Sequence, residues 1–148
     1  MGKIIIDCDA TPFVPEGWSI RPEDQIPGAV DGQLVYDPLK ISLYIDKAQK
    51  CVKRIPAYNL VDKLVGKPLL KANVLDYLLA CTSLVPGAWM VDDYGIGRWI
   101  VFWGTVYRDP GGYRCVRMLW RSDGRWGWGC IALGYRLSDL CPAAILVG

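Results

Sequence analysis

The residues best placed for chemistry come at the start of the chain, where residues 4–11 read IIIDCDAT. Asp7 and Asp9 are one residue apart at the end of an apolar run. Side chains on a strand alternate with period two, so both carboxylates would point to the same side of its end. In that position Asp7 could attack a phosphoryl group while Asp9 carried the proton, with Mg²⁺ neutralising the gathered negative charge. Such a machine needs further parts. Thr82 or Ser83 could supply a phosphate-holding hydroxyl. Lys63, Lys67 or Lys71 could supply a cation, and Asp92 and Asp93 of MVDD (90–93) a second acidic site.

In this opening the chain resembles the haloacid-dehalogenase-like phosphatases, which begin with an apolar strand ending in D-x-D-x-T or V. The resemblance implies a Mg²⁺-dependent phosphatase with Asp7 and Asp9 as its catalytic pair. The order of parts runs against it: that family places its lysine after its hydroxyl, and here every lysine precedes Thr82. It also needs repeated strand-helix-strand crossovers to build a parallel sheet. The alternative reading puts Asp7 and Asp9 on one face of an edge or terminal strand, or Asp9 in an Asx-type turn.

Composition narrows the remaining chemistry. Histidine is absent, which removes Ser-His-Asp and Cys-His nucleophile activation, imidazole base catalysis and His-ligated metals. Cys8, Cys51, Cys81, Cys115, Cys130 and Cys141 are scattered, with none of the close pairs that zinc sites use, so no metal or cofactor is expected. They read as buried free thiols. At 148 residues the chain is one domain's worth, 1–148. It has no apolar run near the ~18 residues of a membrane span. Its start is too short and too acidic for a signal peptide, and Ile6 stands where myristoylation wants Ser or Thr. A cytoplasmic location is the expectation.

The elements follow from periodicity and punctuation. Lys3–Cys8 reads as a buried strand and KISLYI (40–45) as another. Between them Pro12, Pro15, Pro22 and Pro27 impose a long irregular connection, pinned to the body by Phe13 and Trp18. NLVDKLVG predicts a short helix capped by Asn59 and ended by Gly66. NVLDYLLACTS predicts a second, capped by Asn73, with Asp76 favouring the positive end of its dipole. RWIVFWGTVYR, YRCVRMLW and RWGWGCIAL, joined by DPGG and SDG, predict an antiparallel meander. The expected architecture is α+β, a mainly antiparallel sheet with two helices against one face.

The meander is also the candidate binding surface. Residues 98–148 carry seven Arg against three Asp, whereas residues 1–97 carry a net charge of −2. With four-residue loops at DPGG and RSDG, Trp103 faces Met118, and Gly104, Arg117 and Trp128 lie abreast. Arg117 could then stack on Trp128. Trp126 shares the face of Trp128 whatever the register, and Gly127 and Gly129 leave the opposite face bare, to be covered by a helix, another chain or a ligand. Arg117, Trp103, Trp126 and Trp128 are therefore the candidate binding residues, for a partner peptide or for single-stranded nucleic acid. The modest net charge of +2 argues against nucleic acid.

Over most of its length the chain resembles a family of small bacterial proteins to which no activity is attached. The resemblance rests on IDCDATPFVPEGW (6–18), GKPLLKANVLDYLLA (66–80), FWGTVYRDPGG (102–112), VRMLW (116–120), DGRWGW (123–128) and PAA (142–144). It implies a grouping without a function, and it absorbs the acidic opening into a longer signature. Members carry His soon after DYLLA, where this chain has Cys81 and Thr82. The reading that results is a non-catalytic binding or accessory protein, acting through a protein partner or a second copy of itself, with no membrane role.

Overall fold

The computed structural model describes residues 3–50, 54–91 and 95–147. In chain order the strands and helices are β1 (Ile5–Asp7), β2 (Gln33–Val35), β3 (Ile41–Tyr44), β4 (Ile55–Pro56), α1 (Ala57–Leu64), α2 (Ala72–Ala80), β5 (Ile100–Arg108), β6 (Arg114–Ser122), β7 (Arg125–Ala132), β8 (Arg136–Leu137) and β9 (Ala143–Leu146). The fold is α+β. Its centre is a five-stranded sheet in the order β3-β9-β5-β6-β7, antiparallel except where β5 meets β9. Two small antiparallel ribbons, β1-β2 and β4-β8, flank it. Among the described residues no helix is long and apolar enough to cross a membrane.

The meander forms as its turn residues dictate, with a register two residues tighter at the second turn than a four-residue loop would give. Asp123 and Gly124 both have positive φ, +52° and +75°, the two-residue turn whose twist matches the strands it joins. Ser122 therefore pairs with Arg125, and Arg117 faces Cys130 rather than Trp128. At the first turn Arg108 pairs with Arg114, not Tyr113, because the Asp109 carboxylate accepts the Tyr113 N–H and closes a five-residue loop.

Strand β5 carries a large irregularity. Val101 pairs with Met118 and Val106 with Val116, so four residues on β5 oppose the single residue Arg117. The cause is a crossing chain. β5 pairs with β9 at Val101 and Ala143, and Pro68–Leu70 fills the gap beyond. Leu70 donates its N–H to the Ala144 carbonyl (3.1 Å) and accepts from the Gly104 N–H (3.0 Å). Gly104 is required there. A Cβ on it would stand 2.6 Å from the Leu70 carbonyl atoms.

The two helices lie on opposite faces of the sheet rather than sharing one. Leu60 and Leu64 of α1 pack with Val101, Trp103, Val116, Met118 and Ile131. Val74, Leu75 and Leu78 of α2 pack with Ile100, Phe102 and Leu119. Alternation along β5 supplies both cores at once, which is why Ile100, Val101, Phe102 and Trp103 are apolar without a break. Helix α1 starts at Ala57, directly after Pro56, so Asn59 lies inside it. Gly66, at φ +83°, ends it as expected. Helix α2 starts at Ala72, and the Thr105 hydroxyl, from the β5 irregularity, accepts the Ala72 N–H (2.9 Å). Asn73 is thereby freed from capping. Strand β1 is less buried than its isoleucines suggest: only Ile6 points inward and Ile5 is exposed.

Candidate functional site

The acidic opening holds backbone in place. Strand β1 pairs antiparallel with β2 in a two-stranded ribbon, not within a parallel sheet. The Asp7 carboxylate accepts the Asp9 N–H (3.0 Å), and the Asp9 carboxylate accepts the Gly32 N–H (3.0 Å). The Asx turn belongs to Asp7, and Asp9 braces the turn before β2. No group of three or more candidate metal ligands occurs among the described residues. Asp92 and Asp93 lie outside the described residues, as does Cys51.

Asp9 also lines a cleft of about 550 Å³ between the proline-rich connection, the start of α2 and the β5 irregularity. Lys71 reaches across it, donating to the Asp31 carboxylate and to the Cys8 carbonyl (3.3 Å). Asn73, 8% exposed, donates to the carbonyls of Asp7 (3.1 Å) and Ala10 (2.7 Å), while its Oδ1 has no partner among the described residues. Cys8 lies on the cleft wall, but burial pushes its thiol up, away from the thiolate a nucleophile needs. The stretches 6–18, 66–80 and 102–112 meet at this cleft. In the bonds the structure forms, its polar groups tie those stretches together.

The next layer is built on Arg117. This residue is 1% exposed and pairs with Asp76 of α2 at 2.7 Å. Its guanidinium carbon lies 4.4 Å from the Trp128 ring centroid, 5.2 Å from Phe13 and 5.9 Å from Tyr107. Asp76 also accepts the Phe13 N–H (2.8 Å), and the Tyr107 hydroxyl donates to the Phe13 carbonyl (2.8 Å). Burial pushes the Tyr107 phenol up, keeping it a donor. Trp18 closes the cluster edge-on against Tyr107 and Trp128. Phe13 and Trp18 thus pin the proline-rich connection as their spacing predicts.

The expected stacking platform therefore does not form. The Arg117–Trp128 contact exists, but it is internal. Trp103 is fully buried on the opposite face, in the α1 core. Trp126 and Trp128 are half-buried on the α2 face, with Arg121 5.7 Å over the Trp126 ring. The reason is the proline-rich connection, which folds across the Arg117 face and covers what a free meander would show. Phe13, Lys71, Asn73, Asp76 and Tyr107 enter the assembly without having been singled out for it. The available signal was a lone charge in each of two apolar elements: Arg117 in CVRML, once buried, demands an anion, and Asp76 in NVLDYLL supplies it.

The part of the meander that stays open is its edge. Strand β7 has no strand on its outer side among the described residues. Its eight pairs with β6 run without a bulge, and it contains neither Lys nor Pro, the usual guards of an edge. The two-residue turn and the Leu133 N–H to Arg114 carbonyl bond fix the odd-numbered residues toward β6. The N–H and C=O groups of Trp126, Trp128 and Cys130 consequently face outward. These features define an α+β protein with an internally braced connection and an open sheet edge. No family model, curated protein or solved structure matches the chain.

Proposed function

We propose that this is a non-catalytic binding protein that works through protein contacts, beginning with a second copy of itself added across β7. The observation that carries the reading is the unguarded β7 edge, with Trp126, Trp128 and Cys130 presenting their backbone groups outward. Antiparallel pairing about a two-fold axis keeps each side chain on its own face, so even residues meet even ones. Centred on Trp128, the arrangement sets Trp126 opposite Cys130 and Trp128 opposite Trp128. Gly127 then meets Gly129 on the other face. Trp126 meets the small Cys130 on either side of the central Trp128 pair, and the glycines leave the other face clear.

Charge agrees with this arrangement. The two Arg125 residues would stand about 20 Å apart along the paired strands. That separation is beyond the ~8 Å screening length at physiological salt. The carboxylates nearest the cleft are occupied with backbone and with Lys71, which favours a structural use of them over an acid–base one.

Sedimentation velocity over a concentration series tests the proposal. The wild-type chain is expected to dimerise. Gly127→Lys, which meets nothing within 4 Å but would set like charges together across the pairing, is expected to stay monomeric. Cys130→Pro, which removes an outward N–H and no β6 bond, should do the same. A wild-type monomer at every concentration, or a dimer that survives both substitutions, overturns it.

A further inference from the structure

On the α1 face, beside the bare strip left by Gly127 and Gly129, a second cleft of about 460 Å³ opens between β6-β7 and the segment around β8. Its walls include Trp99, Met118, Ile131 and Leu137. Trp99 stands edge-on to Trp120 with ring centroids 6.4 Å apart and is 43% exposed, a large aromatic surface left unfilled. Gly127 meets nothing within 4 Å, while the Met118 methyl leans over Gly129. The apolar walls are only half of the site.

Arg54 and Arg136 line the same cleft, and both are exposed. Neither forms an ion pair with a carboxylate among the described residues, in contrast to Arg108 and Arg117, which are held by Asp24 and Asp76. Asp139 acts electrostatically on the Cys141 thiol in the cleft wall, as Arg54 does, but is in ion-pair contact with neither arginine. Two guanidinium groups without an ion-pair partner among the described residues, beside an aromatic and aliphatic wall, fit one ligand chemistry. That chemistry is a planar apolar body carrying a carboxylate, which an Arg fork can hold by two parallel hydrogen bonds.

We infer that this cleft is a binding site for a small amphipathic anion, an aromatic or short acyl carboxylate. The ring or chain lies against Trp99, Met118 and Leu137, and the carboxylate meets Arg54 and Arg136. The site shares no residue with the Lys71 cleft and only Cys130 with the β7 edge.

Calorimetric titration with 2-naphthoate, with neutral 2-naphthalenemethanol as comparison, tests the inference on the wild-type chain at dilute and at high protein concentration. Naphthoate is expected to bind at both concentrations at least about tenfold more tightly than the alcohol, the equivalent of ~1.4 kcal/mol. The Arg54→Gln/Arg136→Gln variant, changed only at exposed positions, should lose that preference while still binding the alcohol. Equal affinity for acid and alcohol, or a preference that survives the loss of both arginines, would overturn the assignment. So would absence of binding at millimolar naphthoate. A preference that holds in dilute protein keeps the result separate from the fate of the dimer.

Discussion

Arg117 shows how much one residue can organise. A guanidinium buried to 1% exposure must be paired, and the pairing with Asp76 ties β6 to α2 and, through Phe13, to the proline-rich connection. Removing only the anion leaves a buried positive charge with its partner gone, so Asp76→Ala should cost about 2–4 kcal/mol in denaturant unfolding. The double variant Asp76→Ala/Arg117→Met, which removes both charges, should cost less than Asp76→Ala alone. A loss under about 1 kcal/mol for Asp76→Ala would mean that Arg117 finds water or another partner. At this scale the sequence was legible in part. The Arg117–Trp128 contact was visible in the alternation of the strands. Its burial was not, because the cover is a loop that folds back from about a hundred residues earlier in the chain. Its counter-ion Asp76 was legible only as a lone charge in an apolar helix.

At the scale of elements, local signals located the meander, α1 and α2, because each is written in neighbouring residues: Asp123-Gly124 for the turn, the leucine stripes for the helices, Gly66 for a helix end. What they could not show was the crossing of Pro68–Leu70 over β5, since nothing in GKPLLK or FWGTVY names the other. The Gly104 contact is the check on that crossing. Gly104→Ala forces a Cβ into the Leu70 carbonyl, backbone that cannot swing aside, and is expected to cost about 2–3 kcal/mol or more. Gly127→Ala, with open space around it, should stay within about 0.5 kcal/mol of wild type. Thermal and urea melts of the two variants settle the contrast, and equal effects would place the crossing elsewhere. The same long-range packing explains the helices. Their apolar stripes were evident, but which face each covers is decided by the crossing chain and by the alternation of β5.

For the whole molecule, a helix packs on each face of the sheet, and β7 ends it with no strand beyond among the described residues. The two helices cover its faces, and the Arg117 cluster takes the aromatic side chains that the sequence offered as a platform. The unguarded edge is what remains. Amide hydrogen exchange resolved by residue, at high and low protein concentration, tests this most directly. The amides of Arg125, Gly127, Gly129 and Ile131 point toward β6 and should be protected at both. Those of Trp126, Trp128 and Cys130 should exchange freely in dilute solution and become protected as the concentration rises. If these three amides exchange freely at every concentration, β7 receives no second copy and the proposed mode of action is wrong.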